Sequence, residues 1–423
     1  MFSFLSPRAR LRAVHLLLFV STAAPVNSLA AGEWPQILGP NRNGVAINER
    51  IADSFPKEGP PVTWERRVGE GYSGVAVAAG HLVLFHRLGD EEVVESLNPL
   101  TGKRQWKQQF PASYPGGINP DKGPRCVPVI HDGSVYLFGA AGDLYALELE
   151  SGRKRWSRSV AKEFPFAEQS YFGVGSTPIV EGTKLLANVG GKGGAGIVAF
   201  NLADGNPVWN TTDERASYSS PTSATIHGER QVIFVTRLTA MGVNADDGSI
   251  RWQFPFGARG PTVNAATPQV IDGYLFLSAS YGIGAVCRKL KTTDTELVWS
   301  NNDTMSSQFS TPVPNGKYLY GTDGRQDGPP ARLRCIDLRT GKVQWTKEDF
   351  GVANLIVADG KLVIVTDDGE LVLAAASPEA YRELGRSTVS RKTATRALPA
   401  LSNGLLYVRD STTLKCIDLR RNR

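Results

Sequence analysis

The sequence predicts an all-β protein, an eight-bladed β-propeller of four-stranded antiparallel blades closed by an N-terminal strand, with seven blades as the fallback count. Two observations predict it. Seven of the eight tryptophans recur at steps of 42 to 53 residues, a period typical of one propeller blade per repeat. The composition, with 44 glycines, 26 prolines and 9% aromatic residues, is typical of many short strands joined by tight turns.

The tryptophans stand in a recurring local context. The repeated tryptophans are Trp64, Trp106, Trp156, Trp209, Trp252, Trp299 and Trp345. In five copies a glycine stands four residues before the tryptophan: Gly102, Gly152, Gly205, Gly248 and Gly341. Four residues before these glycines come Asn98, Glu148, Asn201, Asn244 and Asp337, and six before them come the small residues Ser96, Ala146, Ala199, Gly242 and Cys335. We expect a strand, a glycine turn, and then a strand whose tryptophan packs on the neighbouring blade.

Each copy also begins in a similar way. A first strand often follows Ser/Thr-Pro, as at Thr177-Pro178 and Thr267-Pro268. A short polar turn and a continuous apolar run come next, as in 135–138 and 274–277. Such runs fit strands that are buried on both faces. Each copy therefore contains four strands.

Counting these copies sets the blade boundaries. The blades are predicted at 74–106, 128–156, 177–209, 220–252, 267–299, 311–345 and 355–389. An eighth begins near Leu398 and ends at Leu419 after only three strands. We expect its fourth strand to be Val62–Val68, because this pairing would leave no free sheet edge.

The pattern small-x-Asp/Asn-x-x-x-Gly-x-x-x-Trp resembles the pyrroloquinoline-quinone-type repeat of quinoprotein-like propellers. It covers nearly all of residues 62–419, most clearly Cys335–Trp345. The segment Trp34–Gly44 resembles the opening of exported bacterial members of this repeat family, many of them planctomycete. The chain is also similar to the propeller of the barrel-assembly lipoproteins of Gram-negative outer membranes. The resemblance implies a fold rather than an activity, because such blades serve both dehydrogenases and scaffolds.

The N-terminal residues predict export to the periplasm or the extracellular space. Three arginines, at positions 8, 10 and 12, precede the short apolar run 13–20, and Ser28-Leu29-Ala30 offers a cleavage site. No cysteine directly follows this site, so a bacterial lipid anchor is not indicated. The predicted organisation is a signal peptide at 1–30, an N-terminal extension at 31–61, the propeller at 62–419 and a tail at 420–423, with no membrane span after cleavage.

The charge pattern argues against nucleic-acid binding. The net charge is +6, and part of it lies in the signal peptide and the C-terminal tail. No dense basic run is interleaved with aromatic residues, as a nucleic-acid-binding surface would require. We expect a mildly basic protein whose partner is a protein of the cell envelope.

A binding site is expected at the propeller axis, on the face that collects the long connections. These connections are 107–127, 157–176, 190–196 and 322–332, and irregular segments on a rigid scaffold often carry function. The residues just before each first strand should surround the axis. The candidates are Arg125, Tyr171, Tyr218, Asn264, Gln308, Asn354 and Arg396. Their cations, amides and rings could hold a flat or anionic ligand; solvated loop residues that close the channel are the alternative.

The resemblance raises pyrroloquinoline quinone with calcium as a cofactor. Quinone-dependent dehydrogenases of this superfamily carry an adjacent-cysteine disulfide, a calcium site and a catalytic Asp. Here the four cysteines, Cys126, Cys287, Cys335 and Cys416, are not adjacent, and we interpret them as small buried packing residues. No metal-ligand spacing is recognisable, and catalytic residues stay unassigned.

Two further motifs favour plain turns. Residues 323–328 begin like a calcium loop, but Arg325 and Arg334 replace ligands. The glycine-rich run 190–196 lacks the Gly-Lys-Ser/Thr ending of a phosphate-binding loop. Both are interpreted as hairpin turns.

Three hypotheses follow for function. The first is an extracytoplasmic, non-enzymatic binding or scaffold propeller that uses its loop face. The second is a quinone-dependent alcohol or sugar dehydrogenase with an atypical site, in which Arg125 or Arg396 pairs with cofactor carboxylates. The third is carbohydrate or cell-surface recognition through aromatic loops around Tyr114 and Tyr171. We favour the first, because marks of catalysis are lacking.

Overall fold

The computed structural model of the chain describes residues 1–3, 32–118, 121–164, 172–260, 262–390 and 395–421. The chain divides by its internal contacts into Met1–Ala30 and Ala31–Arg423. Residues 4–30 of the predicted signal peptide, with the proposed cleavage site, lie outside the described residues. Within the described ranges no helix is long and apolar enough to cross a bilayer.

The second unit consists of eight four-stranded antiparallel sheets. The first strand, β1 (Val62–Arg67), belongs to the last blade. Blade 1 contains β2 (Ala76–Ala78), β3 (His81–Leu88), β4 (Glu91–Leu97) and β5 (Arg104–Pro111). Blade 2 contains β6 (Val129–His131), β7 (Ser134–Phe138), β8 (Asp143–Glu148) and β9 (Lys154–Ser159), followed by the short helix α1 (Val160–Glu163). Blade 3 contains β10 (Ile179–Glu181), β11 (Lys184–Asn188), β12 (Ile197–Asn201) and β13 (Pro207–Thr211).

The remaining blades repeat this order. Blade 4 contains β14 (Thr222–Ile226), β15 (Glu229–Val235), β16 (Thr239–Asn244) and β17 (Ile250–Pro255). Blade 5 contains β18 (Gln269–Ile271), β19 (Tyr274–Ala279), β20 (Gly284–Leu290) and β21 (Thr295–Asn301). Blade 6 contains β22 (Val313–Asn315), β23 (Tyr318–Asp323), β24 (Arg332–Asp337) and β25 (Val343–Lys347). Blade 7 contains β26 (Ala353–Ala358), β27 (Lys361–Thr366), β28 (Glu370–Ala375) and β29 (Glu383–Thr388), and blade 8 contains β30 (Ala400–Ser402), β31 (Leu405–Arg409) and β32 (Thr413–Asp418).

The predicted closure of the ring is confirmed. β1 pairs antiparallel with β32, so that residues 62–67 complete blade 8, and Trp64 lies opposite Cys416. The count is eight blades, and the fallback count of seven is wrong. The second and third strands of each blade are almost entirely buried, as the continuous apolar runs predicted, whereas the outer strands alternate between exposed and covered positions.

The repeated tryptophans connect neighbouring blades. The indole Nε1 of Trp106 donates to the carbonyl of Leu149 in blade 2 at 2.7 Å. Its ring covers Gly152, where φ is +70° and an added Cβ would lie 2.5 Å from the indole. A side chain at this glycine would therefore push the two blades apart. Equivalent indole-to-carbonyl bonds of 2.8–2.9 Å start from Trp64, Trp156, Trp299 and Trp345.

The small residue of the motif lies directly opposite the tryptophan. Ala146 faces Trp156 and Cys335 faces Trp345, and a register shift follows each pair. Cys287 and Cys416 hold the same position opposite Trp299 and Trp64. All four cysteines are buried and free, which confirms that they are packing residues.

Trp209 covers Gly248, but its Nε1 has no hydrogen-bond partner within the described residues. Two other departures from the pattern, in blades 5 and 7, are compensated by residues from elsewhere in the chain. Blade 5 has no glycine in its β20–β21 turn; here Trp252 donates to Gln231 Oε1, and Gln231 Nε2 donates in turn to the carbonyl of Thr292 in blade 5. In blade 7, Gly385 stands in the tryptophan position opposite Leu373. Phe55 from the N-terminal extension packs against this glycine, 2.9 Å from the position of an added Cβ. The extension thus supplies the missing aromatic ring.

A belt of hydrogen bonds links the starts of the inner strands. Ser176 Oγ donates to the carbonyl of Ser219, and Ser219 Oγ donates to that of Ala266. The backbone N–H of Thr177 donates to Ser220 Oγ. The Ser/Thr-Pro motif therefore has a structural role, because its hydroxyls satisfy buried backbone groups between adjacent blades. Cys126 belongs to this belt through its contact with the carbonyl of Ser176.

The N-terminal extension closes one end of the axial channel. Trp34 exchanges two 2.8 Å backbone hydrogen bonds with Val77 of blade 1, and Val45 bridges Val357 of blade 7. Between them, Arg42 is 2% exposed, and its Nη1 and Nη2 donate to the carbonyls of Pro178 and Thr177 in blade 3, each at 2.9 Å. The segment therefore crosses the axis and binds blades on opposite sides of it.

Candidate functional site

A cavity of about 270 Å³ lies at the propeller axis. Its walls come from residues that precede inner strands, such as Tyr72 and Gln308, and from turns between second and third strands, such as those of Tyr281 and Gln326. It is therefore on the face predicted to collect the connections. Ile37 of the N-terminal extension also lines it, so the segment that crosses the channel forms its floor.

Five of the seven candidate residues meet in this cavity, which we call the axial pocket. They are Arg125, Tyr218, Gln308, Asn354 and Arg396. Asn264 does not line it: its side chain is 2% exposed, and Nδ2 donates to the carbonyls of Thr236 and Phe256, while the adjacent Val263 and Ala265 face the pocket. Tyr171 lies outside the described residues.

Sequence reasoning missed several lining residues. Tyr72 stands just before the first strand of blade 1, so the rule that selected Arg125 could also have selected it. Tyr281 and Gln326 come from turns between second and third strands. Only the length of the 322–332 loop pointed to Gln326, because a turn's reach toward the axis depends on its folded conformation.

Two guanidinium groups flank the ring of Tyr72. The Cζ of Arg125 lies 5.8 Å and that of Arg396 lies 5.3 Å from the ring centroid. Arg125 also contacts Phe172 at 5.9 Å and forms an ion pair of 3.1 Å with Asp121. The wall is thus both flat and cationic, with cation–π contacts fixing the two arginines.

A chain of polar contacts crosses the pocket between blades 5, 6 and 8. Gln308 Nε2 donates to the hydroxyl of Tyr281 at 3.0 Å, and the backbone N–H of Gln326 donates to Gln308 Oε1 at 2.8 Å. Arg396 Nη2 donates to Gln326 Oε1. These bonds hold the long 322–332 turn over the pocket.

Several polar atoms in the pocket have no partner among the described residues. They include Arg125 Nη1, Arg396 Nε and Asn354 Oδ1. Asn354 is 3% exposed and makes only a 3.4 Å bond through Nδ2 to the carbonyl of Arg396. These atoms are closed off from the cavity, whereas other parts of Arg125 and Arg396 line it. Guanidinium groups at a pocket wall favour a ligand rich in acceptors, such as carboxylate oxygens.

The donor set does not fit the calcium–quinone centre that the resemblance implied. Among the described residues no cluster of three or more His, Cys, Asp or Glu side chains could hold a metal ion. The four cysteines lie apart in separate blades, with no adjacent pair. In the loop that begins like a calcium site, Asp323 is instead paired with Arg332 at 2.6 Å and Arg334 at 3.0 Å.

Of the two tyrosines expected to carry an aromatic surface, Tyr171 lies outside the described residues and Tyr114 is buried. The Tyr114 ring is 6% exposed, and its backbone carbonyl accepts a 2.8 Å hydrogen bond from Arg87 Nη1. A buried ring offers no open face for stacking on a sugar. Its role is to anchor the connection between blades 1 and 2.

Glu92 is a buried acid between the same two blades. It is 2% exposed, and its Oε1 accepts a 2.7 Å hydrogen bond from the backbone N–H of Ala140. Burial raises the pKa of Glu92 to about 7, and the nearby carboxylate of Asp143 adds to this effect. Ala140 packs against Gly123, two residues before Arg125, so Glu92 supports one wall of the axial pocket.

We expect Glu92→Gln to stabilise the protein at alkaline pH. The folded pKa of Glu92 is above its unfolded value, so the folded state binds the extra proton and stability falls as pH rises from about 4.5 to 7. The amide keeps the acceptor for Ala140 but cannot ionise. At pH 8 the free energy of unfolding should exceed that of the wild type by about 1–3 kcal/mol, with little difference at pH 4.5.

Urea denaturation at the two pH values measures this effect. The matched control is Glu58→Gln, which neutralises an exposed carboxylate of the N-terminal extension. An identical pH dependence of wild type and Glu92→Gln would show that folding does not raise the pKa of Glu92.

Comparisons with known proteins agree with this architecture. The sequence profile of the family described as outer membrane protein assembly factor BamB matches residues 61–185 and 89–347. The BamB protein of Yersinia pestis is 21% identical over 291 residues, covering 66% of this chain and 70% of the relative. That of Escherichia coli K12 is 23% identical over 302 residues, covering 67% and 71%.

Solved structures show the same fold. BamB from Moraxella catarrhalis superposes with a TM-score of 0.62 at 16% identity, covering 85% of this chain and 99% of that one. Quinohemoprotein alcohol dehydrogenase from Comamonas testosteroni gives 0.70 at 13% identity, covering 94% and 82%. At these identities the likeness concerns the fold alone, whereas the profile match covers most of the propeller. The chain therefore belongs to the family of pyrroloquinoline-quinone-type β-propellers related to the assembly factor BamB.

Proposed function

We propose that this protein is an exported binding or scaffold propeller of the cell envelope, and that it holds a protein partner through the face on which the axial pocket opens. The observation that carries the proposal is the pocket itself. The side chains of Arg125 and Arg396 line it, and their guanidinium groups flank the ring of Tyr72. Such a site suits an acidic or aromatic side chain of a partner.

Two further facts support a binding role over a catalytic one. The relatives that match over most of the propeller are named as assembly factors of outer membrane proteins. The donor set of the pocket also does not fit a metal–quinone centre. A rigid ring of eight blades with irregular connections on one face is well suited to present a binding surface.

Site-specific crosslinking in intact cells tests the proposal. A photoreactive amino acid at exposed Gln326, on the pocket face, should form an adduct with one envelope protein that mass spectrometry identifies. The same residue at exposed Lys289, on the third strand of blade 5, is the positional control. With the purified partner, Arg396→Gln should weaken binding by about 10- to 100-fold, because a charge-assisted hydrogen bond is lost.

Two outcomes would contradict the proposal. One is equal labelling from Gln326 and Lys289. The other is unchanged affinity of Arg396→Gln for the purified partner. Circular dichroism and urea unfolding of the variant show whether it keeps the fold.

Quinone binding is a second candidate, favoured by the two arginines that flank the flat ring of Tyr72. Titration with pyrroloquinoline quinone, with and without calcium, tests this candidate. The melting temperature is measured, because a ligand that binds only the folded state stabilises that state by mass action. A saturable rise that Arg396→Gln removes would support this candidate. A flat response in both conditions would exclude it.

A further inference from the structure

The cations of the propeller rim are concentrated on blades 1 and 2. Together with the residue before each of them, β5 and β9 carry seven lysines and arginines in residues 103–111 and 153–159, and no carboxylate. Counted in the same way, the outer strands of blades 3, 4 and 5 carry one cation and two carboxylates, and those of blades 6 and 7 carry four cations and one carboxylate. The net positive charge of the folded chain is therefore unevenly distributed around the ring.

Part of this charge is paired and part is free. Arg104 pairs with Glu95, Arg153 with Glu148, and Arg158 with Glu163. Five exposed cations of the same region form no ion pair within the described ranges. These five, which we call the basic rim, are Arg67, Lys103, Lys107, Lys154 and Arg155.

The basic rim is continuous across three blades. From blade 8, Arg66 Nη1 donates to the carbonyl of Gly102 at 3.1 Å, so that β1 lies beside the turn that leads into β5. From blade 1, Trp106 donates to the carbonyl of Leu149 and covers Gly152, which brings β5 beside the turn that leads into β9. The free cations on these outer strands therefore belong to one neighbouring set of edges.

The side chains of this surface fit a lipid headgroup layer better than a protein. Protein interfaces are depleted in lysine and enriched in aromatic residues, whereas three of the five cations are lysines. Exposed large apolar side chains near them are aliphatic: Leu100, 63% exposed, in the turn that precedes Lys103, and Val62, 47% exposed, in β1. Cations near anionic headgroups, with an aliphatic side chain at the acyl boundary, are the combination that binds membrane surfaces.

We propose that the basic rim docks on the phosphate headgroups of an anionic lipid bilayer. The propeller then contacts the bilayer through the outer strands of blades 8, 1 and 2. The axial pocket opens on a face of the disc rather than on its rim, so it stays accessible to a partner. This inference is independent of the proposed partner binding, because it uses different residues.

Vesicle sedimentation tests this docking. The full-length protein, produced with its own N-terminal segment and purified from the cell envelope, is mixed with vesicles of phosphatidylcholine alone or mixed with phosphatidylglycerol. We expect stronger binding to the anionic vesicles, and weaker binding as salt is added. The variant Lys103→Gln/Lys107→Gln/Lys154→Gln/Arg155→Gln should reduce the partition coefficient by more than about 100-fold, since each cation contributes roughly fivefold.

A matched variant removes the same charge elsewhere. Lys289→Gln/Lys342→Gln/Lys347→Gln/Arg382→Gln neutralises four exposed cations of blades 5, 6 and 7, and it should retain most of the binding. Urea unfolding of both variants shows that the fold is kept. The proposal would be overturned if the wild-type protein does not bind anionic vesicles at low salt, or if the two variants lose vesicle binding equally.

The same set of variants distinguishes an acidic protein partner from a lipid surface. Polyglutamate is the probe. If it binds the wild type but not the basic-rim variant, and if the wild type does not bind vesicles, the surface is assigned to a protein partner and lipid docking is overturned. Arg396→Gln should leave vesicle binding unchanged, so failure of the proposed partner site and failure of lipid docking give different results.

Discussion

Replacing Arg409 by methionine is expected to lower the free energy of unfolding by about 3–5 kcal/mol. Arg409 ends β31 of blade 8 and is 1% exposed. Its guanidinium donates to four backbone carbonyls of blade 1 and the segment before it. These are the carbonyls of Ser73 at 2.7 Å, Phe85 at 3.1 Å, Gly69 at 2.9 Å and Glu70 at 2.9 Å.

The size of this effect follows from what the substitution leaves behind. Methionine fills much of the volume, but it donates no hydrogen bond, so several buried carbonyls would have no partner. Each unsatisfied group costs on the order of 1–3 kcal/mol, part of which water entry would recover. The lost hydrogen bonds lie between the last blade and the first, at the ring closure that the β1–β32 pairing also stabilises.

Urea unfolding at pH 7 measures the difference. Arg409→Lys should lose less unfolding free energy than Arg409→Met, because an ammonium group still donates to some of the carbonyls. Arg67→Met, which removes an exposed cation of β1, is the control and should change stability by less than about 0.5 kcal/mol. A loss below about 1 kcal/mol for Arg409→Met would mean that the carbonyls find other donors.

The second large effect is expected for Trp34→Ala, which should cost about 3–5 kcal/mol. Trp34 is 2% exposed and belongs to the core formed where blades 7, 8 and 1 meet. Its ring packs against Gly39, whose φ is +79° and whose added Cβ would lie 2.9 Å from the indole. Truncation would leave a cavity beneath the segment that closes the axial channel.

This substitution should also loosen the floor of the axial pocket. Ile37 lines the pocket three residues after Trp34, and Ile37 and Leu38 form a small apolar cluster with Val127. Limited proteolysis should therefore cut within residues 32–61 faster in Trp34→Ala than in the wild type. Leu100→Ala, which shortens a side chain that is 63% exposed, is the control and should alter neither property. Unchanged unfolding and unchanged proteolysis would show that the extension does not depend on Trp34.

The repeating part of this protein follows from local patterns in its amino-acid sequence. The tryptophan period, the glycine four residues earlier and the small residue opposite each tryptophan are local requirements, since they concern one hairpin and its contact with the next. For this reason the eight blades, the closing strand (predicted at Val62–Val68 and observed at Val62–Arg67) and the packing role of the cysteines could be predicted. Position relative to the start of each inner strand was also local information: four of the residues selected in this way precede their strands, Asn354 is the second residue of β26, and all five lie at the axial pocket.

Contacts between segments far apart in the chain could be seen only in the folded protein. Sequence spacing could not show that Phe55 would pack on Gly385 in place of a missing tryptophan, or that Gln231 would connect Trp252 to blade 5. Nor could it show that Asn264 would turn toward buried carbonyls while its neighbours lined the pocket. These arrangements depend on which polar groups and cavities remain after the blades have packed, and that outcome is a property of the closed ring rather than of any single repeat.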